Sequence, residues 1–143
     1  PDKQPSSDLR KKLSVQYNVD GEIIILGRLD LFEKTDALAR ATELGEVLSQ
    51  RLDAWQTQFD IVGDHRGLGP MRAVELVKDR STKAPNKEAV GKIIKYAYEH
   101  GVICIGAGTF GNVLRFLIPL TASKEQLEEG LDVVENGLGK FSI

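Results

Sequence analysis

Residues 106–120 read GAGTFGNVLRFLIPL, and this stretch decides both a piece of the fold and a candidate site. Three glycines within its first six positions predict a loop with wide freedom in φ. An apolar strand follows from Val113 to Ile118, and Pro119 closes it. Arg115 stands in the middle of that strand. A guanidinium keeps its charge at any accessible pH, and surrounding it with apolar side chains is costly unless an anion meets it. Its planar fork suits a carboxylate through two parallel N–H donors. A glycine loop beside a fixed arginine therefore suggests a site that clasps the carboxylate of a small substrate. The residues leave two other readings open: an internal ion pair with an Asp or Glu, and a place on the wet face of an edge strand.

Working outward, Val102–Ile105 reads as a short buried strand that leads into the loop, with Cys104 as an inert buried thiol. Ser123 and Gln126 form a capping box, and Leu127, Leu131, Val134 and Leu138 repeat at helical spacing behind it. On the other side, Asn86 predicts a helix start, Val90, Ile93, Ile94 and Ala97 a buried stripe, and Gly101 the end. Thr35 predicts the N-cap of a longer helix, in which Ala37, Ala41, Leu44, Leu48, Leu52, Trp55 and Phe59 recur every three or four positions. Ile61 and Val62 then begin a strand, Gly63–Gly69 reads as a turn in which Arg66 is solvated or stabilises the turn, and Met71–Val77 as an antiparallel return strand. Lys78–Lys87 reads as a polar loop. Near the start, Asp8–Leu13 could form a short helical turn, and Val19–Leu26 offers an Asp-Gly turn followed by a strand. The order β-α-β-β-α-β-β-α predicts an α+β two-layer sandwich, a small and mainly antiparallel sheet with helices on one face.

Composition narrows the classes. The chain has 143 residues, 41% hydrophobic and 28% charged, with a net charge of −2, which fits one globular domain. That balance carries no footprint for nucleic acid or an anionic membrane, and no apolar run reaches membrane-spanning length. The single cysteine excludes an internal disulfide and fits a reducing cytoplasm. His65 and His100 have no metal-like spacing to it, so no metal site is expected.

GTFGNVLRFLIPLT resembles the carboxy-terminal signature of the class III, 4-aminobutyrate type, pyridoxal-phosphate aminotransferases. Phe59–Val77, FDIVGDHRGLGPMRAVELV, is similar to the strand–RGLG turn–strand segment of the same family. Leu31–Leu52 resembles the helix before it, and Ser123–Gly137 the last helix. Two positions depart: Ala107 stands where many relatives carry Cys or Ser, and Arg72 where an apolar residue is more usual. The resemblance covers an aminotransferase small domain, 31–143, and leaves 1–30 as an amino-terminal extension of uncertain origin, read from its own residues as a short helix and one strand. It is either an early hairpin of the same small domain, to which its VDG-plus-strand pattern is faintly similar, or an unrelated or engineered segment.

What the resemblance implies is a transaminase in which Arg115 grips a carboxylate of the amino-acid or keto-acid substrate, while Gly108 and Thr109 line the approach. Phe110 reads equally well as loop lining or as a core anchor. Pyridoxal phosphate would be the cofactor of the parent enzyme, held by a large domain that supplies the Schiff-base lysine. None of the eleven lysines here sits in an apolar strand-end setting that would suit imine chemistry. The chain alone is therefore expected to hold no cofactor, to carry no catalytic residue and to be inactive. Expected partners are the large domain, amino-acid and keto-acid substrates, and a second subunit of a homodimer or larger assembly. Parting the domains should bare an apolar surface, with the helix carrying Trp55 and the region around Phe110 as contributors. The alternative is a stand-alone or engineered α+β domain with a binding or purely structural role.

Overall fold

The computed structural model describes residues 15–19, 22–26 and 36–142. The chain divides into two compact units, 1–40 and 41–143. The first contains a hairpin of β1 (Val15–Val19) and β2 (Glu22–Leu26), paired antiparallel from Val15↔Leu26 to Val19↔Glu22. The extension thus holds two strands rather than the expected one, because Val15–Val19 is itself extended and pairs with Glu22–Leu26. The helical turn expected at Asp8–Leu13 and the Thr35 cap lie outside the described residues.

The helix α1 (Ala37–Gln58) crosses the division. Leu44, Leu48, Leu52 and Trp55 are wholly buried, as their spacing along one helical face requires. No basic residue stands in its last turn. Arg80, from a loop distant in sequence, supplies the missing positive end by donating to the carbonyls of Gln56, Phe59 (2.9 Å) and Asp60 (3.2 Å). Helix carbonyls without an intrahelical partner favour such a cation.

The second unit contains a four-stranded antiparallel sheet in the order β3-β4-β6-β5: β3 (Val62–Leu68), β4 (Met71–Leu76), β5 (Ile105–Ala107) and β6 (Val113–Leu117). The sequence Gly63–Gly69 is mostly strand, not the expected turn. β3 pairs with β4 from Val62↔Leu76 to Leu68↔Met71, with an irregularity at Gly63. The reversal is confined to Gly69-Pro70. Glycine in this ladder supplies room: a Cβ on Gly67 would lie 2.1 Å from the Met71 carbonyl oxygen. The expected strand Val102–Ile105 is also displaced. Pairing begins only at Ile105↔Arg115, and Ile103 and Ile105 are exposed, because this segment leaves its helix at Gly101 and reaches the sheet three residues late.

The helices α2 (Lys87–Glu99) and α3 (Lys124–Phe141) complete the layer. Asn86 accepts from the Ala89 N–H at 3.1 Å, and the Ser123–Gln126 capping box closes with bonds of 2.9 and 3.2 Å. Their buried residues join those of α1 and the inward residues Val74, Leu76, Leu114 and Phe116 in one core. α1 is tied to α3 through Glu135, whose Oε2 accepts from Trp55 Nε1 and Arg51 Nη1, each at 2.8 Å. This is the two-layer α+β arrangement expected.

All three helices pack on one sheet face, and among the described residues of this unit none covers the opposite face. Residues alternate between faces along a strand, so Arg66, Ala73, Arg115 and Ile105 form one outward row and Leu68, Met71 and Leu117 the next. Leu68 is 80% exposed and Leu117 58%. The bare apolar side chains therefore include Leu68, Met71, Ile105 and Leu117 on this face, Phe110 at the loop and Leu38 on α1. Trp55 does not contribute: it points into the core, its ring centroid 6.2 Å from that of Phe116.

Candidate functional site

Arg115 lies third of five in β6, between the buried Leu114 and Phe116. It projects outward and is exposed. β6 is flanked on both sides by strands, so the edge-strand reading does not hold. Neither does the internal ion pair: Arg115 has no ion-pair or hydrogen-bond partner among the described residues, whereas Arg51, Arg66, Arg72 and Arg80 all have one. A free guanidinium on this exposed sheet face can still take an anion.

The glycine loop lies at the end of the same outward face. Its reversal runs from Gly108 to Gly111, closed by Gly111 N–H donating to the Gly108 carbonyl at 3.0 Å. Both glycines have left-handed φ, +85° and +65°, which residues with a Cβ avoid. A Cβ on Gly108 would stand 2.8 Å from Val113 Cγ2, so the loop closes over Val113, the outward residue before Arg115. Thr109 and Phe110 are exposed at the tip. Phe110 is 67% exposed and so lines the loop rather than anchoring it.

Asn112 is the anchor, and sequence reasoning missed it. It is the buried polar residue of the core, 2% exposed. Its Nδ2 donates to the Leu76 carbonyl at 3.0 Å and lies 3.4 Å from Glu75 Oε1, while its main-chain carbonyl accepts from the Leu76 N–H at 2.7 Å. Glu75 in turn accepts from Arg66 Nη1 at 3.1 Å, and the same nitrogen donates to Asp64 Oδ2 at 2.7 Å. Arg66 is thus a strand residue in an ion pair, its guanidinium held above its usual range by the hydrogen bonds it donates to Asp64 and then Glu75. The signal for Asn112 was its place between Gly111 and the apolar strand, where an amide has to find partners when buried.

A cleft of about 340 Å³ is lined by Ile103, Cys104, Ile105, Arg115 and Leu117, with α3 beneath, and neither Gly108 nor Thr109 reaches it. Of the three expected site residues, Arg115 borders this cleft while the loop pair stands over Val113. Burial raises the Cys104 thiol, as an inert cysteine requires. A larger cavity of about 710 Å³, at Asp60, Lys78, Asp79 and Arg80, does not include Arg115. Among the described residues no acidic, histidine and cysteine groups gather to hold a metal, and no helix is long and apolar enough to cross a membrane.

Residues 21–138 match the family model for class-III aminotransferases, a span that runs from β2 to within three residues of the end of α3. A probable 4-aminobutyrate aminotransferase of Bacillus subtilis is 39% identical over 113 residues, 79% of this chain and 26% of the relative. A leucine/methionine racemase of Thermococcus litoralis is 42% identical over 113 residues, 79% and 25% of the two chains. The crystal structure of an omega transaminase from Pseudomonas jessenii in complex with PMP superposes with a TM-score of 0.69 at 27% identity, over 79% of this chain and 25% of the other. The chain thus spans about a quarter of the length of the relatives it matches. With its fold, its RGLG hairpin and its GNVLR strand agreeing with a match over most of its residues, the chain belongs to the class-III aminotransferase family.

Proposed function

We propose that the chain is the small domain of a transaminase of the 4-aminobutyrate type, and that Arg115 orients the substrate carboxylate for amino-group transfer to a keto acid. The observation that carries this is the unpartnered guanidinium at the centre of the open sheet face. The carboxylate would take both edges of the fork, fixing the substrate's length and tilt, while Gly108 and Thr109 bound the approach. Holding a reactant in one orientation can contribute several kcal/mol to a rate.

Pyridoxal phosphate, when bound by a large domain, would supply the electron sink for the reaction. The described residues do not fit it. Lys78, Lys83, Lys87, Lys92, Lys95, Lys124 and Lys140 are all exposed, and a desolvated pocket is what lowers a lysine's pKa toward imine formation. No step of the cofactor chemistry is therefore assigned to them. The chain alone is expected to be inactive, its partner the large domain, and the enzyme a cytoplasmic homodimer or larger assembly.

Arg115→Ala in the full-length enzyme should lower kcat/KM for dicarboxylic keto acids by ~2–3 kcal/mol, the scale of a lost charge-assisted bidentate contact. Arg115→Lys should restore part of it, because the charge returns without the fork. Unchanged kinetics for the alanine variant would take Arg115 out of carboxylate binding and leave it a structural role. Turnover with no keto acid present would instead indicate racemisation, the chemistry for which the Thermococcus relative is named.

A further inference from the structure

Two arginines flank one alanine on the open face. Ala73 of β4 is the register partner of Arg66 on β3 and of Arg115 on β6. Glu75, two residues further along β4, faces the same way and is a diagonal neighbour of both. Diagonal positions on adjacent antiparallel strands lie about 7–8 Å apart, within reach of long side chains. Among the described residues Glu75 forms its ion pair with Arg66, whose Nη1 is 3.1 Å from Oε2 and is also held by Asp64 Oδ2 at 2.7 Å. The other carboxylate oxygen, Oε1, lies 3.4 Å from the buried amide of Asn112. Oε2 is thereby held from the β3 side and Oε1 by Asn112, the residue just ahead of β6, while Arg115 has no ion-pair partner among the described residues.

We infer that Arg66 is a positioning residue: by holding Glu75 it keeps the Arg115 guanidinium free for a substrate carboxylate. The inference rests on the proposed role of Arg115. Without Arg66, Glu75 would face Asp64, its register partner, with no cation between them. Arg115, its diagonal neighbour on β6, is then a cation within reach on the face. An arginine already paired must give up that partner before it can grip a substrate, so the cost appears in binding rather than in the chemical step.

The test has two arms. In the full-length enzyme, Arg66→Ala should raise KM for the keto acid about fivefold, the scale of one exposed ion pair that has to be broken, with kcat within about twofold. Arg66→Lys, which can still hold Glu75, should stay near the parent value. Arg66→Ala combined with Glu75→Gln should bring KM back, because the competitor has lost its charge. If Arg66→Ala does not fold, Arg66→Gln carries the same expectation. A double variant worse than the single overturns the inference, since a merely structural ion pair predicts added damage rather than rescue.

In the second arm, side-chain NMR of this chain follows the Arg115 guanidinium. Its rotation should slow in Arg66→Ala through a new contact with Glu75, and quicken again when Glu75→Gln is added. No new contact overturns the inference whatever the kinetics. A new contact with unchanged KM overturns the carboxylate-gripping role of Arg115 and leaves the competition between the two arginines standing.

Discussion

Replacing Asn112 by aspartate should turn the anchor of the glycine loop into a pH-dependent defect, and alanine at the same position sets the scale. The alanine variant loses the Nδ2 bond to the Leu76 carbonyl at 3.0 Å and the longer approach to Glu75. That carbonyl still accepts from the Asn86 N–H at 3.0 Å, so no acceptor is orphaned. The cost is one net hydrogen bond and a small cavity, ~1–2 kcal/mol. Aspartate has the same shape but offers an oxygen to two acceptors, the Leu76 carbonyl and the Glu75 carboxylate. Ionised, it is a buried charge without a partner, worth ~3–5 kcal/mol of destabilisation; protonated, it can donate to Leu76. Desolvation and Glu75 therefore raise its folded pKa above its unfolded value of about 3.9. A carboxyl raised in this way binds more protons folded than unfolded, so stability falls as pH rises through the unfolded pKa and continues to fall up to the folded one. Urea unfolding from pH 4.5 to 8 measures this, with the fluorescence of the single, wholly buried Trp55 as the signal. Asn112→Asp should lie close to the parent at the acid end and fall below Asn112→Ala at the alkaline end. A constant gap between the two variants across that range would refute the placement of this side chain against Glu75 and Leu76.

Two further outcomes follow from space and burial. Gly45→Ala should destabilise by ~1–3 kcal/mol despite alanine's helix propensity, because the new Cβ would stand 2.6 Å from Gly69 Cα and push α1 off the hairpin turn. Gly91→Ala on α2, where a Cβ meets nothing within 4 Å, should instead stabilise by up to ~1 kcal/mol, and paired thermal melts would read both. Cys104, half-buried with its thiol raised by burial, should react with iodoacetamide at pH 8 well below the rate of a free thiol and recover that rate in urea. Fast labelling of the folded chain would show the thiol to be accessible.

Most of what the sequence determined by itself is local. Helix α3 was legible because Ser123 and Gln126 close a box across three residues and Leu127, Leu131, Val134 and Leu138 repeat with the turn of a helix. The Asn86 cap and the buried stripe of α2 are signals of the same range. The RGLG and GNVLR motifs identified the family and brought Arg115 forward, although the sequence could not say which side of the sheet that arginine would face. Partner choice was decided by tertiary structure. Gly63–Gly69 has the composition of a turn, and only pairing with Met71–Leu76 holds it extended. Trp55 reads as an interface residue or as core until the sheet is placed beneath α1. The relation among Arg66, Glu75, Asn112 and Arg115 depends on the register of three strands, contributed by residues up to 49 positions apart (66 to 115). Hydrophobic period and capping act over one or two turns of chain, whereas register is set by which distant backbone groups find one another, and no short-range signal encodes that choice.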